Sequence, residues 1–162
     1  MTRPVPSART AEPLSPSKLK LRLWLRLLRT SRGIEIELRE RLRVTFGVTL
    51  PQFDVLAALA REPAGMSMSE LSRFLMVSNG NVTGIIDRLV ADGKVIRMVK
   101  DGDRRSIFVR LTRDGVDSFQ TMATAHEGWV HDLLAGLSHD ESAALIELLG
   151  RVPHDSLTGE HS

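Results

Sequence analysis

Between residues 78 and 84 the chain reads Ser78-Asn79-Gly80-Asn81-Val82-Thr83-Gly84, with short hydroxyl and amide side chains interleaved with glycine. Such side chains donate and accept hydrogen bonds close to the backbone, and glycine lets that backbone approach whatever they touch. The edges of DNA bases in the major groove present a matching pattern of donors and acceptors. Further on, Asp103-Arg104-Arg105 sets two guanidinium groups beside a carboxylate. Guanidinium suits phosphates and the narrow minor groove of A·T-rich DNA. Asp103 can hold one arginine by a bidentate pair and leave the other to reach outward, and either could be the one held. Arg88, Arg97, Lys100 and Arg110 lie on the same stretch and could meet phosphates, which gives affinity and orientation without sequence information. Ser67 and Ser69, just upstream, complete the candidate DNA-contacting set.

Other chemistry finds little support. His126 and His131 are five residues apart, which turns them away from a common helical face, and His139-Asp140 stands alone. There is no cysteine, hence no disulfide, thiolate nucleophile or cysteine metal site. A phosphate-binding glycine loop, a Gly-x-Ser-x-Gly elbow and a pair of catalytic carboxylates are all absent from the sequence. Neither an enzyme nor a resident cofactor is expected.

The elements that must position these residues can be read from periodicity and punctuation. Residues 17–46 are rich in Leu and Arg and free of proline, and Ile34, Leu38 and Leu42 at spacing four predict a long first helix. Pro51 predicts the first turn of a second helix, whose apolar positions include Phe53, Leu56, Ala57 and Ala60. Ser67-Met68-Ser69-Glu70 is a capping box that starts a third helix at Met68. After a turn at Met76-Val77, Ser78 can cap a fourth helix running to Ala91; Val82, Ile85, Ile86, Leu89 and Val90 form its apolar stripe. The polar residues named above then lie off that stripe. Val95 to Lys100 and Ser106 to Leu111 predict a hairpin with Asp101 to Arg105 as its turn. Thr112 can cap a fifth helix carrying Val116, Phe119, Met122 and His126, and Ser138-His139-Asp140-Glu141 opens a sixth.

The predicted fold class is mainly α with a small β-hairpin wing: a winged helix-turn-helix flanked by long N- and C-terminal dimerisation helices. The expected organisation is a disordered arm at 1–16, with Pro4, Pro6, Pro13 and Pro16, then a dimerisation helix at 17–50. A DNA-binding lobe at 51–112, C-terminal dimerisation helices at 113–152 and a flexible tail at 153–162 follow. Net charge is only +2 over 162 residues, but it is unevenly placed. Residues 1–50 carry 11 basic and 4 acidic residues, 66–112 carry 8 and 5, and 113–162 carry 2 and 9. A basic first segment and an acidic last one can lie against each other, leaving the basic middle for a polyanion. The apolar faces of the first, fifth and sixth helices exceed what one wing domain can cover, so a homodimer is expected. No apolar run long enough to span a bilayer and no secretory leader is read, so a soluble cytoplasmic protein without a membrane partner is expected.

Residues 66–115 carry a resemblance. Ser69-Glu70-Leu71, Val77 to Thr83, Asp87-Arg88-Leu89, Gly93, the Asp103-Arg104-Arg105 wing and Leu111-Thr112-Arg113-Asp114-Gly115 resemble the core of the MarR family of bacterial regulators. The resemblance implies homodimers whose first, fifth and sixth helices intertwine on a pseudo-palindromic double-stranded operator. Recognition helices would enter successive major grooves, with wings in the flanking minor grooves. It also implies an effector pocket between dimer helices and DNA-binding lobe. The recognition-helix wording is similar to that of members controlling aromatic-compound catabolism, which implies a repressor released by an aromatic acid or its acyl-CoA thioester. Candidate wall residues are Trp24, Leu28 and Ser31 on one face of the first helix, Phe46 and Phe53 near the second, and Arg32 as carboxylate partner. The alternative reading is a dimeric winged-helix adaptor that docks protein.

Overall fold

The computed structural model describes residues 15–100 and 103–152, and for residues 79, 100 and 103–106 the backbone alone. Residues 1–14 of the arm expected at 1–16, the tail from 153 and the Asp101-Gly102 pair lie outside the described residues, while Pro16, expected in the arm, begins the first helix. Among the described residues, six helices and three strands follow in the order α1 (Pro16–Phe46), α2 (Leu50–Arg61), β1 (Met66–Ser67), α3 (Met68–Leu75), α4 (Asn79–Ala91), β2 (Val95–Lys100), β3 (Asp103–Leu111), α5 (Arg113–Leu133) and α6 (His139–Gly150).

Most helix starts are written in side chains. Ser67 and Glu70 form a reciprocal capping box at α3, as do Ser138 and Glu141 at α6. Thr49 and Gln52 make a third at α2, in addition to the expected Pro51 in its first turn. Ser78 and Thr112 cap α4 and α5 through the backbone N–H of Asn81 and Gly115. Each cap stabilises its helix by about 1 kcal/mol.

The chain divides between Glu37 and Leu38 into two compact units. In the first, the helix leaves Leu19, Leu21, Leu23, Trp24 and Leu25 between 42% and 58% exposed, and none of its described residues is buried. In the second, α2, α3, α4, the sheet and α5 close on a core of Leu42, Phe53, Val55, Leu56, Leu59, Leu71, Val82, Ile86, Leu89, Val95, Val109 and Met122. Full burial of one such side chain contributes roughly 1.5–3 kcal/mol.

The sheet is antiparallel in the order β1-β3-β2. β1 was not anticipated: Met66 and Ser67 pair with Val109 and Phe108. Gly65 precedes it at φ +94, and a Cβ there would stand 2.8 Å from the Val109 carbonyl oxygen, so only glycine lets this edge close. β3 also begins earlier than the Ser106 expected. Lys100 pairs with Asp103 after an irregularity beside Val99, which carries Asp103, Arg104 and Arg105 in the strand rather than in the turn. Among the described residues α6 buries no side chain, and Ile146 is 73% exposed.

Candidate nucleic-acid interface and its adjoining groove

The connection from α3 to α4 is tight because Met76 adopts a left-handed conformation at φ 53 and the buried Ser72 hydroxyl donates to the Val77 carbonyl at 2.9 Å. Val82, Ile86 and Leu89 then seat α4 in the core, which turns Gly80, Asn81, Thr83, Gly84 and Arg88 to solvent. A Cβ added at Gly80 or Gly84 would meet nothing within 4 Å, so the two glycines leave open space rather than relieve an internal clash. The Ser78 hydroxyl accepts from the Asn81 N–H at 3.4 Å, and the Ser67 hydroxyl accepts from the Glu70 N–H at 3.2 Å. Both serines thus act first as helix caps, while Ser69 lies exposed in the first turn of α3. Asn79 begins α4 and Asp103 to Arg105 lie in the far part of the β2–β3 ribbon. The readings that rest on those four side chains lie outside the described ones.

Arg97 is not free. Its Nη2 donates to Asp87 Oδ1 on α4 at 2.5 Å. Arg88 pairs with Asp92 at 3.3 Å and turns toward a groove on the other flank of α4.

That groove encloses about 1010 Å³. One wall is α4, through Gly80, Asn81, Gly84, Ile85 and Arg88; the other comes from Phe46, the 47–49 connection, Gln52 and Leu56. Lys94 and the α5 residues Ser118, Thr121 and Met122 close the end. Lys94 Nζ donates to Asp114 at 2.5 Å and to the Ser118 hydroxyl at 2.7 Å, which aims a cation along the groove. Of the six side chains proposed as pocket walls, Phe46 lines this groove and meets Trp129 at a tilt of 46° with ring centroids 6.0 Å apart. Phe53 does not line it. It is buried, 4.7 Å from the His126 ring and 5.7 Å from Phe119, because position 53 falls on the core stripe of α2. Trp24, Ser31 and Arg32 are exposed and Leu28 half-buried in the first unit. Sequence reading missed Gln52, Lys94, Ser118 and Thr121. The capping pair Thr49/Gln52 and the i, i+4 spacing of Asp114 and Ser118 were the available signals.

Burial lowers the His126 imidazole below its ordinary pKa, as expected of a ring stacked between two helices rather than a ligand. Among the described residues no cluster of His, Asp and Glu could hold a metal ion.

Residues 46–106 match the sequence profile described as "MarR family". The HTH-type transcriptional regulator PecS of Dickeya dadantii is 37% identical over 62% of this chain, and the chain spans about three fifths (62%) of PecS. The multiple antibiotic resistance protein MarR of Escherichia coli is 34% identical over 65% of this chain and 73% of its own length. The crystal structure of a mutant E. coli MarR complexed with operator DNA superimposes with a TM-score of 0.71 at 27% identity, covering 86% of this chain and 100% of that one. PecS is named as a transcriptional regulator and the E. coli relative as an antibiotic resistance protein, and neither as an enzyme. With the winged helix-turn-helix in place and a relative of this similarity covered over most of its length, the chain belongs to the MarR family.

Proposed function

We propose that the protein is a homodimeric, sequence-specific regulator of transcription that binds double-stranded DNA and acts as a repressor released by a small anionic aromatic ligand. The observation that carries the DNA-binding reading is α4. Its polar, glycine-lightened face is exposed while its apolar stripe is locked in the core, and a two-stranded ribbon stands beside it. The E. coli relative's operator complex supports it. Release by ligand is supported by the groove, because α4 is one of its walls. A molecule that binds there with preference for one position of α4 must alter DNA affinity, and DNA must alter its affinity by the same factor. Phe46, Leu56 and Ile85 offer apolar surface, and Lys94 and Arg88 offer ammonium and guanidinium groups that an aromatic carboxylate would share with, or take from, their partners Asp114 and Asp92. The volume has room for the acyl end of a CoA thioester as well.

The test is to select a duplex from random-sequence DNA with the purified protein, then titrate benzoic and hydroxybenzoic acids and their CoA thioesters against the complex by fluorescence anisotropy. Loss of affinity with at least one ligand is expected, and Lys94→Ala should blunt the response without abolishing DNA binding. If no duplex is selected, the adaptor reading gains; if duplex binding ignores every ligand, release by an aromatic anion is wrong. Asn81→Ala separates two roles for a residue that faces both solvent and groove. A base reader would lose about 1–3 kcal/mol and selectivity at one base pair. A groove wall would instead change only the ligand response.

A further inference from the structure

We propose that the Asp87–Arg97 pair is a strut that sets the angle between recognition helix and wing, and that Arg97 is a positioning residue rather than a phosphate contact. The inference rests on the DNA-binding reading above.

Helix α4 and strand β2 follow each other through Asp92-Gly93-Lys94. Gly93 turns at φ +71, and Thr112 ties the base of the connection through hydrogen bonds to the Gly93 and Lys94 carbonyls, so what remains free to swing is the ribbon beyond that base. Short-range backbone bonds hold its two sides: Lys94 N–H donates to the Leu89 carbonyl at 2.9 Å and Gly93 N–H to Val90 at 3.0 Å. Beyond the turn, the helix and the ribbon are joined through side chains. Arg97 stands opposite the buried Val109 in the ladder, so its backbone is anchored in the sheet. Its guanidinium then crosses to Asp87 on the third turn of α4 at 2.5 Å. Arg97 retains 35% of its side-chain exposure and Asp87 59%, so water reaches the pair but the cation is already neutralised.

The length of the ribbon gives this contact leverage. From the Gly93 turn to Lys100 the strand extends about 23 Å at about 3.3 Å per residue, so a 10° change of angle moves its end by about 4 Å. Hydrogen bonds to bases and phosphates tolerate a few tenths of an ångström. A helix in one groove and a ribbon reaching the next can therefore bind together only when the angle is held. A surface ion pair adds little to folding, about 0–1 kcal/mol, so its main consequence lies in that angle.

The experiment uses the full chain and a duplex selected by the wild type from random-sequence DNA, with an unselected duplex as reference. Asp87→Asn and Arg97→Gln should each weaken the selected complex by about tenfold, the double variant no further, because both remove one coupling. The charge-reversed pair, Asp87→Arg with Arg97→Asp, should recover most of the loss. The dependence of affinity on salt should keep the wild-type slope in every variant, since no phosphate contact is lost. Should a single variant unfold, Asp87→Glu decides: it keeps the pair and the melting midpoint but lengthens the strut, and selective binding should fall. Overturning results are a salt slope reduced by about one unit in Arg97→Gln, wild-type or tighter binding by Asp87→Asn, or unaltered binding by Asp87→Glu. If the wild type selects no duplex at all, the DNA-binding reading fails first and takes the strut with it.

Discussion

At position 115 a hydrogen atom is all that fits. The first turn of α5 lies on the backbone of Lys94, and a Cβ on Gly115 would stand 2.0 Å from the Lys94 carbonyl oxygen. Thr112 ties the same corner together: its N–H donates to the Lys94 carbonyl at 3.0 Å, its hydroxyl donates to the Gly93 carbonyl at 2.7 Å, and that hydroxyl accepts from the Gly115 N–H at 2.9 Å. The Leu-Thr-x-x-Gly wording is thus the joint between the β2–β3 ribbon and α5. Gly115→Ala must push backbone against backbone, and should cost about 2 kcal/mol or more despite the better helix propensity of alanine. Gly128 on the same helix has nothing within 4 Å. Gly128→Ala should gain up to about 1 kcal/mol. Urea unfolding of both variants checks the pair; equal effects would remove the joint.

Between elements, the packing of α5 on α2 carries a titratable ring. His126 stacks on Phe53 with ring centroids 4.7 Å apart and planes 22° from parallel, and burial depresses its pKa. The unfolded chain therefore binds more protons than the folded one as pH falls below 6.5, the ordinary value for histidine. Stability should be fully present above that value and decline as pH falls through the lowered folded-state pKa. The melting midpoint should drop between pH 7.5 and pH 5 by more in wild type than in His126→Phe, which keeps the stack without the titration. The same slope in both proteins would place the acid sensitivity elsewhere.

For the whole molecule, the unfinished surface is the guide. Leu145, Ile146, Leu148 and Leu149 on α6 are 38–73% exposed, and Leu19, Leu21, Leu23 and Leu25 of the first unit are 42–58% exposed. Runs of this kind exceed the scattered apolar residues of an ordinary surface. A second copy is the proposed cover, and the opposed charge of the first 50 and last 50 residues favours it. Light scattering at micromolar concentration should give twice 18.0 kDa, and Ile146→Asp with Leu148→Asp should shift the mass toward one chain. A single-chain mass for the wild type would end the proposal.

What the sequence alone determined is local. The caps of α3, α4, α5 and α6, the apolar stripe of α4 and the existence of the hairpin are each set by residues a few positions apart, and each is where those residues put it. Only the tertiary structure decided the rest. β1 is a two-residue strand that exists because Gly65 lets it reach Val109, more than forty residues away, and no local pattern signals such a pair. Phe53 belongs to the core and not to the groove, although periodicity alone gives an apolar residue no preference between the two. Arg97 reads as a free cation until the fold brings Asp87 to it. The groove gathers side chains from four helices and two connections, and its cation, Lys94, stands outside every helix. Contacts of that range depend on how elements close on one another, which burial of the common core decides and spacing along the chain does not.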